Sequence, residues 1–160
     1  MEIISEKVKY KFEQLHKVSA RLNEALLLEF PSPETKADCC IQRFEFTTEL
    51  FWRFLKVLLE FKGISVNASP VDVIREAKAA GILDADERWI ALVRDRTLTS
   101  HTYDDAQAKV IYDRIRDTYA NMFKVFIEHY ERNYHYFRHG RRVATSYCCC
   151  IASRAGFPVR

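Results

Sequence analysis

The stretch IQRFEFTTELFWRFLKVLLEF, residues 41–61, decides the fold of this chain. Apolar side chains recur in it at steps of three and four residues, which is the period of a helix with one buried face. The pattern predicts a long helix over about residues 34–62 that ends at Gly63. The residues of the buried stripe are Ile41, Phe44, Thr48, Phe51, Leu55 and Leu58. The residues expected at the aromatic centre of the core are Phe44, Phe46, Phe51, Trp52 and Phe54.

Two further long helices flank this stretch. The first is predicted over about residues 2–29, where apolar residues again recur at three- and four-residue steps. Pro31 and Pro33 should stop it, because proline lacks the amide donor and restricts the residue before it. The last long helix is predicted over about residues 104–132. Its stripe consists of Ile111, Ile115, Tyr119, Met122, Phe126 and Tyr130.

Two shorter helices are predicted between the long ones. Ser69 can cap the first, Pro70 suits its first position, and Gly81 should end it. Asp84 should begin the second, with Glu87 as its capping-box partner. Because short connections between amphipathic helices favour antiparallel neighbours, we expect an all-α fold, an antiparallel up-and-down bundle of four to five helices.

Composition agrees with one helical domain. The chain has 160 residues, 48% of them hydrophobic and 29% charged, and four Gly and four Pro are few for a fold with many tight turns. No apolar run reaches about 18 residues, and no basic start leads into an apolar segment, so we expect no membrane association and a cytoplasmic location.

The C-terminal end differs from the rest of the chain. Residues 131–160 contain six Arg and one acidic residue and show neither helical nor strand period beyond about residue 133. We therefore expect a helical domain over residues 1–133 and a poorly ordered, basic, Cys-containing tail over residues 134–160. Bulk charge says little about partners, because the basic excess lies in this tail.

The cysteines favour packing over metal binding. They are Cys39, Cys40, Cys148, Cys149 and Cys150. Tetrahedral metal sites usually take pairs spaced by two to four residues, and adjacent cysteines cannot readily close on one ion. We therefore predict no metal site and no cofactor, with Cys39 and Cys40 acting as small apolar residues of a helix.

One polar stretch concentrates groups that contact phosphate. It is RDRTLTSHTYDD, residues 94–105. On an uninterrupted helix, Arg96 and His101 would differ by about 140° around the axis. Thr97, Thr99 and Ser100 form helices poorly, so a bend could bring the two side chains together. A guanidinium that stabilises phosphoryl charge and an imidazole that moves a proton suffice for RNA cleavage.

The residues alone leave simpler interpretations open. An Arg and a His in one loop are more often surface or capping residues than catalytic ones. Arg94 could pair with Asp95 or Asp104, and Tyr103 could be a half-buried tyrosine of the bundle with its hydroxyl in water.

The string DRTLTSHTY, residues 95–103, resembles the Arg-x4-His-x-Tyr signature of a known family. The family comprises HEPN-domain proteins encoded beside a minimal nucleotidyltransferase, often called nucleotidyltransferase substrate-binding proteins. Two further stretches support the resemblance, residues 41–52 and 69–75, and together the matches cover about residues 5–130. The residue after the signature Arg is usually Asn or another polar group, and here it is Thr97.

The resemblance implies a helical homodimer that sets two copies of the motif along one cleft. In related toxins this cleft is a metal-independent ribonuclease, and tRNA is a known kind of target. A cognate nucleotidyltransferase antitoxin transfers AMP to the signature tyrosine. Carried over by position, Arg96 and His101 would be catalytic and Tyr103 the modification site. The residues expected to support them are Arg94, Asp95, Thr97 and Ser100.

Two other functions remain open at this point. The older family name suggests a non-catalytic subunit that presents a substrate to its nucleotidyltransferase partner. A helical dimerisation module, with the polar stretch as a solvated turn, is the third interpretation.

Overall fold

The fold is a bundle of helices. The computed structural model describes the backbone of residues 2–67, 69–99 and 105–138, with side chains described for 6–67, 69–99 and 106–132. The helices are α1 (Glu2–Leu27), α2 (Pro33–Phe61), α3 (Pro70–Ala79), α4 (Arg88–Thr99), α5 (Asp105–Arg114) and α6 (Ala120–Arg138). A π-helical turn, Ile115–Tyr119, joins α5 to α6. These ranges contain no strand, so the all-α prediction is confirmed.

The first two helices pack side by side in opposite directions. Near the start of α1, Lys7 Nζ lies 3.7 Å from Glu60 Oε2 near the end of α2. Farther along α1, the Val18 carbonyl oxygen lies 3.5 Å from Thr47 Oγ1, toward the start of α2. Contacts that advance along one helix and retreat along the other define an antiparallel pair, as expected for an up-and-down bundle.

The last helix runs in the same direction as α2. The Phe44 ring stacks on Tyr119 with a centroid distance of 5.4 Å, and the Phe54 ring meets Tyr130 edge-on at 5.0 Å. Both partners therefore advance together along the two helices. Helices that are two steps apart in the order of an up-and-down bundle share a direction in this way.

Most of the aromatic residues predicted for the core are in it. Phe44, Phe51 and Phe54 are fully buried. The prediction was wrong for Phe46, which is 53% exposed, because it lies on the outer face of α2. Trp52 is half-buried, and its indole nitrogen donates a 3.0 Å hydrogen bond to Glu49 at the surface of the same helix.

The helix ends follow the expected turn chemistry. Ser32 caps α2 by accepting a 3.2 Å hydrogen bond from the Thr35 amide, and Pro33 is the first helical residue. Gly63 and Gly81 adopt φ values of 80° and 69°, in the left-handed region that ends helices α2 and α3. Both glycine predictions are confirmed.

The predicted start of the fourth helix was wrong. This helix begins at Arg88, and Asp86 accepts a 2.9 Å hydrogen bond from the Arg88 amide. Asp84 instead accepts a 2.7 Å bond from the Trp89 indole nitrogen. Glu87, the residue before α4, lies 2.6 Å from the ammonium group of Lys78 in α3, so it forms an ion pair with that helix in place of a capping box.

The ends of α3 and α6 add two details to the sequence prediction. Ser69 occupies the N-cap position of α3 with extended backbone angles, but its side chain makes no capping hydrogen bond. At the other end, α6 runs to Arg138, and the division into a helical domain over residues 1–133 and a tail over 134–160 stays a prediction. Residues 139–160, with the three tail cysteines, lie outside the described residues.

Candidate functional site

The final turns of α4 carry the described part of the predicted site. Helix α4 runs antiparallel to α2, because the Trp89 ring stacks on Phe51 at 5.1 Å while Thr99 bonds to Glu45, earlier in α2. Buried Leu92 and Val93 hold the middle of the helix against the core. The apolar face of α4 therefore fixes where its C-terminal turn emerges.

Asp95 is a buried carboxylate in this turn. Its side chain is 5% exposed, whereas acidic residues are rarely buried unless they are paired. Arg114 Nη1 donates to both carboxylate oxygens at 3.0 Å, and the Tyr119 hydroxyl donates to Oδ2 at 2.6 Å. These bonds offset the cost of removing the carboxylate from water.

The two partners of Asp95 occupy opposite ends of the π-helical turn. Arg114 is the last residue of α5, and Tyr119 is the last residue of the turn. In an α-helix, residues five apart differ by about 140° around the axis, so they face different ways. In a π turn the backbone hydrogen bond joins residues five apart, and here the Ala120 amide donates to the Ile115 carbonyl oxygen. The wider turn brings residues five apart onto one face of the helix.

The environment shifts the pKa values of both partners. Burial, followed by the hydrogen bond to Asp95, raises the pKa of Tyr119 well above its ordinary value. The hydrogen bond to Asp95, reinforced by its charge, raises the pKa of Arg114. Tyr119 is therefore a hydrogen-bond donor and Arg114 a cation throughout the physiological pH range.

A second anchor joins the end of α4 to α2. Thr99 Oγ1 hydrogen-bonds to Glu45 Oε1 and also lies 2.7 Å from the carbonyl oxygen of Arg96. Thr97 Oγ1 donates to the Val93 carbonyl oxygen at 3.2 Å. Both threonines are helical, and their hydroxyl groups bond back to the preceding turn.

Arg96 therefore lies between two anchored residues. It is half-buried, and its Nε atom is shielded from solvent, whereas Arg94 is exposed. The predicted partners Ser100, His101 and Tyr103 lie outside the described residues, as does the predicted bend between Arg96 and His101. The convergence of these side chains stays a prediction.

The structure gives Asp95 a different partner from the one considered from sequence. Its carboxylate bonds to Arg114 and Tyr119, and among the described residues no ion pair joins it to Arg94. The other residue considered, Asp104, lies outside the described part of the chain.

The two described cysteines pack as apolar residues of α2, as predicted. Cys40 is fully buried and Cys39 half-buried, and both thiols are free. Burial, reinforced by the neighbouring Cys39, raises the pKa of the Cys40 thiol to about 11. Within the described residues, no group of three or more His, Cys, Asp or Glu side chains is arranged to hold a metal ion.

Two large concavities of the described surface lie away from Arg96. A groove of about 690 Å³ runs between α1 and α6, and a cavity of about 530 Å³ is lined by Trp89, Phe126 and His129. Arg96 lines neither. Burial lowers the pKa of His129, and the nearby Arg132 adds to this shift. Among the described residues, no helix has the length and apolar character needed to span a membrane.

Sequence reasoning missed three residues of this arrangement. In the sequence, Glu45 is one residue of a stretch that supports the family resemblance, Tyr119 lies on an apolar stripe, and no motif marks Arg114. The sequence carries no signal of the π turn that brings Arg114 and Tyr119 onto one face. Asp95 was identified, as a support for the signature arginine.

A helical bundle that carries Arg96 in the last turn of its fourth helix, with His101 and Tyr103 following in signature spacing, is a HEPN-type domain. The family model described as nucleotidyltransferase substrate binding protein like matches residues 10–132. The chain belongs to this HEPN and nucleotidyltransferase substrate-binding family.

Individual proteins from two bacteria illustrate what this chain is similar to. A protein of Haemophilus influenzae (strain ATCC 51907 / DSM 11121 / KW20 / Rd), named probable ribonuclease HepT, is 35% identical over 81 residues, which cover 48% of this chain and 56% of that protein. The match thus spans little more than half of the relative. A crystal structure of a protein from Thermus thermophilus has a TM-score of 0.63 and 40% identity, and covers 74% of this chain and 98% of that one.

Proposed function

We propose that this protein is a metal-independent endoribonuclease, the toxin of a toxin-antitoxin pair, that acts in the cytoplasm as a homodimer. Arg96 and His101 are its catalytic residues, and RNA, with tRNA as one candidate, is its substrate. The similarity to a protein named probable ribonuclease HepT supports this activity. The observation that carries the proposal is the position of Arg96, anchored in the last turn of α4 directly before the other signature residues.

The proposed chemistry needs one permanent cation and one proton carrier. Arg96 stabilises negative charge on the phosphoryl group as the phosphodiester bond breaks. His101 takes the proton of the RNA 2′-hydroxyl or gives a proton to the leaving oxygen. In this proposal a second protomer completes the cleft and supplies its own Arg96 and His101.

Tyr103 is the proposed control point. A partner nucleotidyltransferase would transfer AMP to it: the phenol oxygen attacks the α-phosphorus of a nucleoside triphosphate, pyrophosphate leaves, and the phenol proton passes to a base of the enzyme. The added phosphate would repel the RNA backbone, and the nucleotide would fill the cleft. Modification would therefore inhibit cleavage.

RNA cleavage in the presence of a chelator tests the activity. Wild-type protein should cleave RNA in EDTA, and His101→Ala and Arg96→Ala should each lose on the order of 100-fold or more. Arg75→Ala is a matched control, because Arg75 is an exposed arginine of α3 paired with Asp72. Equal cleavage by wild type and His101→Ala would refute the assignment.

The family description favours a second candidate, a non-catalytic subunit that presents a substrate to a nucleotidyltransferase. This function predicts a stable complex with the partner, no toxicity when the protein is expressed alone, and no RNA cleavage. An assay of toxicity and cleavage without the partner separates the two candidates.

A further inference from the structure

Asp95 and Arg96 are neighbours that differ in burial. The Asp95 carboxylate is buried against the π-helical turn, while Arg96 is half-buried. Successive residues of an α-helix differ by about 100° around the axis. Holding Asp95 against its partners therefore fixes the direction in which Arg96 leaves the helix.

Two anchors act on the same turn. Asp95 and Thr99 are four residues apart, a separation that places them on neighbouring positions of one helix face. Asp95 bonds to the α5–α6 segment, and Thr99 bonds to Glu45 of α2. The last turn of α4 is thus held by two different elements, which resist both rotation and fraying of a helix end.

The first anchor depends on the π turn. Arg114 and Tyr119 reach one carboxylate because the turn brings residues five apart onto a common face. The Tyr119 ring is also fixed, since it is buried and stacks on Phe44. The hydroxyl that meets Asp95 therefore has a defined position before any RNA binds.

We propose that Asp95, held by Arg114 and Tyr119 across the π-helical turn, is a positioning residue that orients Arg96 toward RNA. The inference rests on the proposed function in assigning Arg96 to the substrate. Asp95 itself contacts no reacting atom in this proposal. Its effect passes through the orientation of α4, and a small misplacement of a catalytic group can cost on the order of 100-fold in rate.

The orientation of Arg96 can be measured without RNA. In protein labelled with ¹⁵N-arginine, the Nε–Hε signal of Arg96 is assigned by its loss in Arg96→Lys. Tyr119→Phe removes the donor to Asp95 and keeps the ring that stacks on Phe44, and Asp95→Asn removes the charge. Both variants should shift or broaden the Arg96 signal. Asp86→Asn is the matched control, because Asp86 bonds at the opposite end of the same helix and should leave the signal unchanged.

Cleavage kinetics give the second measurement. In Tyr119→Phe and Asp95→Asn, kcat for RNA should fall about 10- to 100-fold while KM stays within about twofold, since misorientation affects the reacting geometry more than binding. Asp86→Asn should keep both constants. Circular dichroism establishes that each variant is folded, and if Asp95→Asn does not fold, Tyr119→Phe decides.

The outcomes separate this inference from the proposed function. A wild-type Arg96 signal in folded Tyr119→Phe would overturn the positioning role. If wild-type protein cleaves no RNA, the ribonuclease proposal fails, and the arginine signal still decides whether Asp95 orients Arg96. A changed signal together with reduced kcat supports both.

Discussion

The Tyr119 hydroxyl donates a 2.6 Å hydrogen bond to the carboxylate of Asp95, which lies 24 residues earlier in the chain. Both residues are buried. The bond crosses from the end of the π-helical turn to the end of α4, so it joins two segments that flank the predicted catalytic residues. It is therefore both a packing contact and a constraint on the site.

Removing this bond should lower the free energy of unfolding. Tyr119→Phe should cost about 1–2 kcal/mol, because a bond to a carboxylate is lost while the ring remains. Asp95→Ala should cost about 2–3 kcal/mol, because it leaves the buried Tyr119 hydroxyl without this acceptor. Arg114 is half-exposed, so water can replace its share of the pairing.

Urea unfolding of the two single variants and the double variant measures this coupling. Because both substitutions break the same bond, the double variant should lose less than the sum of the single losses. Additive losses would show that Asp95 and Tyr119 contribute independently.

Tyr119 should also make the protein less stable at alkaline pH. Its pKa is raised in the folded state, so in the unfolded chain it ionises first, near its ordinary pKa of about 10. Above that pH the unfolded state binds fewer protons, and the contribution of Tyr119 falls as pH rises. The difference in unfolding free energy between wild type and Tyr119→Phe should therefore shrink by up to about 1.4 kcal/mol per pH unit.

Unfolding measured from pH 8 to 11 checks this slope. Tyr10→Phe is the control, because Tyr10 is an exposed residue of α1 and its variant should follow the wild type. A constant difference between wild type and Tyr119→Phe across this range would contradict the expectation.

Most of the fold could be predicted from patterns in the sequence. Apolar periodicity identified the long helices because burial of one face, which is a property of many residues together, determines them. Gly63 and Gly81 marked helix ends because their left-handed backbone angles suit glycine. The predicted start of α4 was wrong because Asp84 and Asp86 are both good capping residues. The Asp84 carboxylate accepts a hydrogen bond from the Trp89 indole nitrogen, and Asp86 accepts the one from the Arg88 amide.

The candidate site was harder to predict in detail. The signature could be read from the string alone, but the pairing of Asp95 with Arg114 and Tyr119 depends on a π turn. A π turn is an irregularity of one helix, and average periodicity cannot locate it. Tyr119 also fits an apolar stripe, since its ring stacks in the core while its hydroxyl bonds to the carboxylate.

Phe51 should be among the residues on which stability depends most. It is fully buried, stacks on Trp89 at 5.1 Å and meets Phe126 edge-on at 5.1 Å. Phe51→Ala should lower the free energy of unfolding by about 3–5 kcal/mol through lost burial and the cavity left behind. Phe46→Ala, on the exposed side of the same helix, should change it by less than about 0.5 kcal/mol. Equal losses in urea titrations would contradict the assigned faces of α2.

The adjacent cysteines should differ in reactivity. Cys40 is fully buried and its pKa is raised to about 11, so at pH 8 it holds almost no thiolate, the form that attacks disulfide reagents. Cys39 is half-buried and should react in the native protein. With an aromatic disulfide reagent, Cys39→Ser should therefore remove one thiol from the native count, and Cys40→Ser should leave it unchanged. In denaturant both variants should give the same count, because the protection of Cys40 comes from packing. A native Cys40 that reacts as fast as Cys39 would show that α2 opens at this point.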